Sequence, residues 1–179
     1  PPNGQGIAAL EMLRILEPYD LAGMGHNSPQ YVHHLVEAKK LAYADLAYYV
    51  ADPDYMNVSV DDVLSDRFIL SRRAELNSGQ ASEQAEPGEL VTKSDTIYLA
   101  AADKDGNMIS FINSVSWEFG SGVVVPGTGF VLQNRGTGFT LEEGMANTLA
   151  AGKRPFHTLI PAFVTRTGAE GRDEPWLSF

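Results

Sequence analysis

The 179-residue chain is 44% hydrophobic and 20% charged, the proportions of a packed globular protein and not of a disordered, collagen-like or coiled-coil one. Its formal net charge of −10 repels phosphate backbones and anionic lipid, which excludes nucleic acid as an expected partner. The absence of cysteine removes disulfides, thiolate metal sites and cysteine nucleophiles, and leaves the compartment open between cytoplasm and periplasm or exterior.

The opening Pro1-Pro2-Asn3-Gly4-Gln5-Gly6 has no Met, no basic stretch and no apolar stretch, so a piece of a longer chain is expected, without a signal peptide. No apolar run approaches the roughly 20 residues of a transmembrane helix. From Gly6 to Glu17, Ile7, Leu10, Leu13 and Leu16 predict one buried face of a helix that Pro18 ends. Ser28-Pro29 then reads as an N-cap and first-turn proline for a helix over about 30–50, with Val32, Leu35, Ala38, Ala42 and Leu46 toward a core. Asp52-Pro53-Asp54 stops it. Ser59 and Asp62 predict a capping box for a third helix running to about Leu76, acidic at its start and basic later at Arg72-Arg73.

Residues 77–94 are rich in Ser, Gly, Gln, Glu and Pro without apolar periodicity, the composition of a mobile linker. Beyond it the pattern becomes β. Thr96–Ala102 and Met108–Ile112 flank Asp103-Lys104-Asp105-Gly106-Asn107, a hairpin signature, and Val123–Val125 with Phe130–Leu132 around a Pro-Gly turn predict a second. A last strand pair is expected over Thr158–Thr165 and Trp176–Phe179. Helices, a linker and then hairpins imply an α+β arrangement or a layered α/β one with an antiparallel sheet.

Several apparent motifs carry little chemistry. Asp103-x-Asp105-Gly106 resembles a calcium loop, but its glycine is two places early and its twelfth position is Ser114, so a β-turn is the better reading. Gly23-x-Gly25 and Gly136-x-Gly138 lack the third glycine of a dinucleotide fingerprint. His33 and Glu37 share a helix face, yet a metal site wants about four ligands, so a solvated pair is expected and no metal. Asn57-Val58-Ser59 is a glycosylation sequon in form, with Ser59 better used as a helix cap.

The informative junction is Asp95-Thr96, where the acidic linker meets a hydroxyl residue opening a strand. Threonine is an ordinary strand residue, which is one reading. The other is chemical: cutting the Asp95-Thr96 peptide would give Thr96 a free α-amine that can serve as base for its own hydroxyl, with no histidine relay. A mobile segment upstream would let the freed end swing away.

Nearly the whole chain resembles the middle of the γ-glutamyltranspeptidase (glutathione hydrolase) family of N-terminal-nucleophile hydrolases. The matching stretches are Pro1-Pro2 with Gly6–Leu10, Val36-Glu37-Ala38-Lys39 with Tyr43-Ala44-Asp45, and Asp52-Pro53-Asp54. Asp95-Thr96 with Asp103–Asn107, Phe119-Gly120-Ser121-Gly122 and Lys153-Arg154-Pro155 follow in the family's order. The resemblance implies a layered fold, here part of an α-β-β-α sandwich, and a precursor that cuts itself at Asp95-Thr96. Residues 1–95 would then end the large subunit, with 77–95 as its linker, and 96–179 would begin the small one. It implies Thr96 as nucleophile, Ser114 in place of a supporting threonine, and transfer of a γ-glutamyl group to water or to an amino-acid or peptide acceptor. No cofactor is implied. The expected partners are a small γ-glutamyl or acyl amide donor, the rest of the precursor and, through exposed sheet edges, further copies of the chain.

The family's donor-binding positions fall on Ser116, Asn134, Arg135, Gly138, His157 and Thr158. Ser116 replaces a carboxylate-binding asparagine, and Arg135 and Gly138 replace the residues of the α-amine pocket. Arg135 repels an ammonium and suits a carboxylate or plain acyl chain, and Asn134-Arg135-Gly136 is similar to a divergent branch with cephalosporin-acylase-like members. A glutaryl or other N-acyl amide is therefore the alternative substrate, and an inert scaffold fragment the alternative to an enzyme. The chain stops short of the family's Gly-Gly oxyanion pair, so inactivity of the isolated 179 residues is expected.

Overall fold

Caps and apolar spacing set the helices in the computed structural model, which describes residues 3–83 and 97–179. Helix α1 (Gly6–Leu16) buries Ile7, Ala8, Glu11, Ile15 and Leu16. Leu10 and Leu13, expected inside, are 49% and 66% exposed. A spacing of three falls behind the 3.6-residue period, so Leu10 and Leu13 rotate off the stripe that Ile7 begins, while Leu16 at the helix end joins a core cluster.

Helix α2 (Pro29–Tyr49) starts as its sequence demands, with Pro29 in the first turn and the Ser28 Oγ accepting a hydrogen bond from the Tyr31 N–H at 3.1 Å. Ala38, Ala42 and Leu46 are buried, while Val32 faces out. Asp52 caps a single 3-10 turn, Pro53–Tyr55.

The Ser59–Asp62 capping box is present, but the expected third helix is two. Helix α3 (Val60–Val63) stops at Leu64, and Ser65 caps α4 (Asp66–Glu75) by accepting from the Phe68 N–H at 3.3 Å. Two serines that are both good N-caps lie six residues apart, and the second restarts the helix. Two apolar clusters close the helical unit. Ile7, Ala8, Ala42, Leu46, Val50 and Val63 form one, and Ile15, Leu16, Ala38, Leu41, Ile69 and Leu76 the other.

The chain divides into two compact units, residues 1–90 with 138–156 and residues 91–137 with 157–179. The later segment is held in the helical unit by Phe156, which enters the first cluster, and by Arg154, whose Nε donates to Asp52 Oδ1 at 3.0 Å. Lys153 lies over the Tyr55 ring, 4.5 Å from its centre, and donates to the Ala146 and Thr148 carbonyls.

In the other unit β1 (Ile97–Ala102) pairs antiparallel with β2 (Met108–Asn113), Ile97 opposite Asn113 and Ala102 opposite Met108. The intervening loop is the expected turn: Asp103 Oδ1 accepts from the Asp105 and Asn107 N–H groups at 2.9 and 3.0 Å, and Gly106 takes φ +84°. The second expected hairpin shrinks to one bridge, Val124 to Val131, because Gly122, Gly127 and Gly129 all adopt positive φ around Pro126. Strands β3 (Phe163–Thr167) and β4 (Asp173–Ser178) also pair antiparallel, later at the start of β3 and earlier at the start of β4 than expected. Their register shifts at Val164/Thr165, where Pro175 lies opposite Thr165 and has no N–H to give the ladder. Both described sheets have two strands, and the architecture is α+β. Among the described residues no helix is long and apolar enough to cross a membrane.

Residues 77–82, expected as the start of a mobile linker, are held against α2. Glu37, expected to be solvated beside His33, is 3% exposed and takes part in that contact. The rest of the expected linker, 84–94, lies outside the described residues.

Candidate active site

The sequence after β2 turns sharply, and that turn builds the site. Ser114 follows the last residue of β2, and Ser116, buried and two places on, has φ +80°. A serine in the left-handed region is strained by roughly 1–3 kcal/mol, and such strain gathers at functional positions. The Ser116 N–H donates to Ser114 Oγ at 3.0 Å, so the strained turn fixes the hydroxyl of Ser114.

Asn134 clasps the same turn from the far side. Its N–H donates to the Val115 carbonyl at 3.2 Å and its Oδ1 accepts from the Trp117 N–H at 3.2 Å. This side chain, expected to bind substrate, is engaged in holding the loop. A 3-10 turn, Arg135–Gly138, follows directly, opened by a hydrogen bond from the Arg135 N–H to Gln133 Oε1. Gln133 had no motif to mark it in the sequence; its role appears only in this local closure.

Arg135 is 4% exposed. Its Nη2 donates to Ser114 Oγ and its Nη1 to Thr158 Oγ1, each at 3.1 Å, so one guanidinium bridges two hydroxyls 44 residues apart in sequence. Ser114 Oγ thus accepts from Ser116 and from Arg135, which leaves donation as the remaining use of its proton. Among the described residues no carboxylate forms an ion pair with Arg135. Burial lowers the pKa of its guanidinium from the usual value. His157 is half-buried, and burial first and the Arg135 charge second push its pKa below the ordinary imidazole value, which favours the neutral ring at pH 7.

The structure therefore brings Ser114, Ser116, Asn134, Arg135 and Thr158 into one connected network with His157 beside it. Asp95 and Thr96 lie outside the described residues. Among the described residues no group of three or more His, Asp or Glu side chains could hold a metal ion.

The gamma-glutamyltranspeptidase family model matches residues 1–173. The chain belongs to the γ-glutamyltranspeptidase family. It is 41% identical over 168 residues to the glutathione hydrolase-like YwrD proenzyme of Bacillus subtilis (strain 168), covering 94% of this chain and 31% of that protein. It is 34% identical over 168 residues to the acylase ACY 1 proenzyme of Pseudomonas sp. (strain SE83), covering 94% of this chain and 30% of the relative. Among solved structures, cephalosporin acylase from Bacillus halodurans superposes with a TM-score of 0.75 at 44% identity, over 91% of this chain and 29% of that one. These similarities put the chain in the acylase-like branch of the family, and it spans about a third of the length of the curated relatives it matches.

Proposed function

We propose that these residues are the subunit-junction segment of a precursor that hydrolyses or transfers the acyl group of γ-glutamyl and related acyl amides, with Thr96 as nucleophile. The layers of an α-β-β-α sandwich would be completed by the rest of that precursor. The observation that carries the reading is the buried Arg135 bridging Ser114 and Thr158, a cation held between two hydroxyls in a chain of this family.

In the maturation step, Thr96 Oγ attacks the Asp95 carbonyl carbon, the C–N bond breaks, and the hydroxyl proton ends on the released amine of Thr96. Water then opens the ester, leaving a carboxylate on Asp95 and a free N-terminal Thr96. In turnover the amine takes the Thr96 hydroxyl proton, Oγ attacks the donor amide, and the leaving amine departs with that proton. Water hydrolyses the resulting acyl ester, or an amino-acid or peptide amine accepts the acyl group. Ser114, with its acceptor positions filled, donates toward the nucleophile, while Ser116, His157 and Thr158 line the acyl side.

The donor is favoured by charge. A buried guanidinium that has no carboxylate partner among the described residues attracts a terminal carboxylate and repels the ammonium that a γ-glutamyl group also carries. That observation supports a second reading in which glutaryl-type monoamides are the better donors. Parallel kinetics on γ-glutamyl and glutaryl anilides with the full-length protein decide between the two.

Intact mass of the denatured full-length protein, with the N-terminal sequence of each species, tests the nucleophile. Two pieces, one starting at Thr96, are expected, and Thr96→Ala is expected to give one uncut species without activity. Cutting that persists in Thr96→Ala removes Thr96 from the mechanism.

A further inference from the structure

Four polar side chains on one face of α2 contact the stretch that follows α4. His33 Nε2 donates to the Asn77 carbonyl at 2.8 Å. His34, 1% exposed, donates from Nδ1 to the Gln30 carbonyl at 2.8 Å, which leaves Nε2 to accept from the Ser78 hydroxyl at 3.3 Å. Glu37 Oε2 accepts from both the N–H, at 3.1 Å, and the hydroxyl of Ser82. Lys40 Nζ ties the set together, donating to Glu37 Oε1 at 2.6 Å and to the Ser82 carbonyl at 2.9 Å.

Positions 33, 37 and 40 recur at helical spacing, so the contacts form a rail along the helix and not a chance touch. The stretch they grip has a fixed local shape of its own, since Asn77 Oδ1 accepts from the N–H groups of Gly79 and Gln80 at 2.9 and 3.1 Å. Burial alone would raise the Glu37 pKa, but the hydrogen bonds from Lys40 and Ser82 outweigh it and hold the carboxyl at about 2. At any ordinary pH Glu37 is therefore ionised, able to accept from Lys40 and Ser82.

The only apolar side chain in 77–82 is the exposed Ala81, so these bonds are what orders the stretch. Their place in the chain gives them a use. Ser82 stands thirteen residues before Asp95, a reach of at most about 45 Å, and the described residues upstream belong to the helical unit.

We propose that the Glu37–Lys40 rail is a positioning device for self-cleavage: it pins the segment leading to the scissile bond at Ser82, and afterwards tethers the new Asp95 end. The inference rests on cleavage at Asp95-Thr96. On this proposal the rail acts on the precursor step and leaves turnover by the cut enzyme unchanged.

The experiment uses the full-length precursor carrying Glu37→Gln, and separately the milder Ser82→Ala, which removes one donor. Hydrogen exchange over residues 77–83, the rate of appearance of the Thr96 N-terminus, and kcat/KM of the fully cut enzyme are followed together. Faster exchange, cleavage slowed about tenfold or more in Glu37→Gln and less in Ser82→Ala, and unchanged kcat/KM are expected. Unchanged cleavage with faster exchange overturns the proposal, as does a kcat/KM loss equal to the cleavage loss, which marks a general structural role. If Glu37→Gln does not fold, Ser82→Ala alone decides by the same split. Thr96→Ala run alongside separates failures: if it still cuts, the nucleophile assignment falls and the exchange result stands by itself.

Discussion

Arg72 and Asp45 meet inside the helical unit with Nε 2.6 Å from Oδ2, a close approach of charges on α4 and α2. Glu11 of α1, 1% exposed, lies near enough to Asp45 for that carboxyl to raise its pKa, and Glu75 lies on the outer side of Arg72 with Oε1 2.8 Å from Nη1. Asp45 and Glu75 thus pair with one guanidinium, and Glu11 is buried beside them. One of them must hold a proton, and burial, followed by the hydrogen bond and charge of Asp45, pushes Glu11 up to about 9.

Because the folded Glu11 binds its proton more tightly than the unfolded one, it favours folding most below about pH 4.5. That contribution is lost as pH rises toward about 9. Glu11→Gln keeps the shape and a donor for Asp45 without needing a proton. The variant is expected to be more stable than the parent sequence at pH 8, by about 1–3 kcal/mol, and to lose that advantage near pH 4. Thermal melts at the two values check this; an equal difference at both would show that Glu11 is not protonated in the fold.

The capping residues made the helix starts legible. Ser28, Ser59 and Asp62 occupy the roles their spacing demands, because a cap is a local hydrogen bond that needs no knowledge of the rest of the chain. What was not legible depends on distant residues. Leu10 and Leu13 look like core by composition, and only the packing of α1 on α2 and α4 selects Glu11 for the inside instead. His33 and Glu37 looked like a solvated pair, since nothing near His33 in sequence announces that Asn77–Ser82 will come to lie there. At the site the family resemblance supplied Ser114, Arg135 and Thr158 as separate positions. Their union through one guanidinium, and the strained turn at Ser116, are three-dimensional facts.

Asp52 receives the Arg154 Nε, Nη2 and N–H at 3.0, 2.5 and 2.8 Å, and these bonds hold its carboxyl at about 2. The folded pKa is below the unfolded value, so the stabilisation is present above about pH 3.8 and is lost as pH falls through about 2. Asp52→Asn is expected to melt lower than the parent sequence at pH 7 and to approach it near pH 2. A gap that persists at pH 2 would assign the effect to the cap on Pro53–Tyr55 and not to the ion pair.

Ser114→Ala deletes the acceptor of two hydrogen bonds and the donor proposed to face Thr96. Self-cleavage and turnover of the full-length protein are both expected to slow by about tenfold or more, and Ser114→Thr, which keeps the hydroxyl, is expected to retain both. Timed gels and anilide hydrolysis read the two rates. Equal behaviour of the Ala and Thr variants would mean that the hydroxyl is not used.

Arg135→Lys keeps a positive charge but cannot bridge Ser114 and Thr158 with a planar fork. If Arg135 recognises the terminal carboxylate of the donor, Arg135→Ala is expected to lower kcat/KM for a glutaryl anilide by about ten- to a hundredfold. For an acetyl anilide, which has no carboxylate to lose, the drop is expected to be much smaller. Arg135→Lys is expected to fall between, since charge attraction survives and bidentate geometry does not. The acetyl control matters because Arg135 also fixes Ser114: a loss equal on both donors would place Arg135 in support of the nucleophile alone, and a loss confined to the glutaryl donor would place it on the substrate.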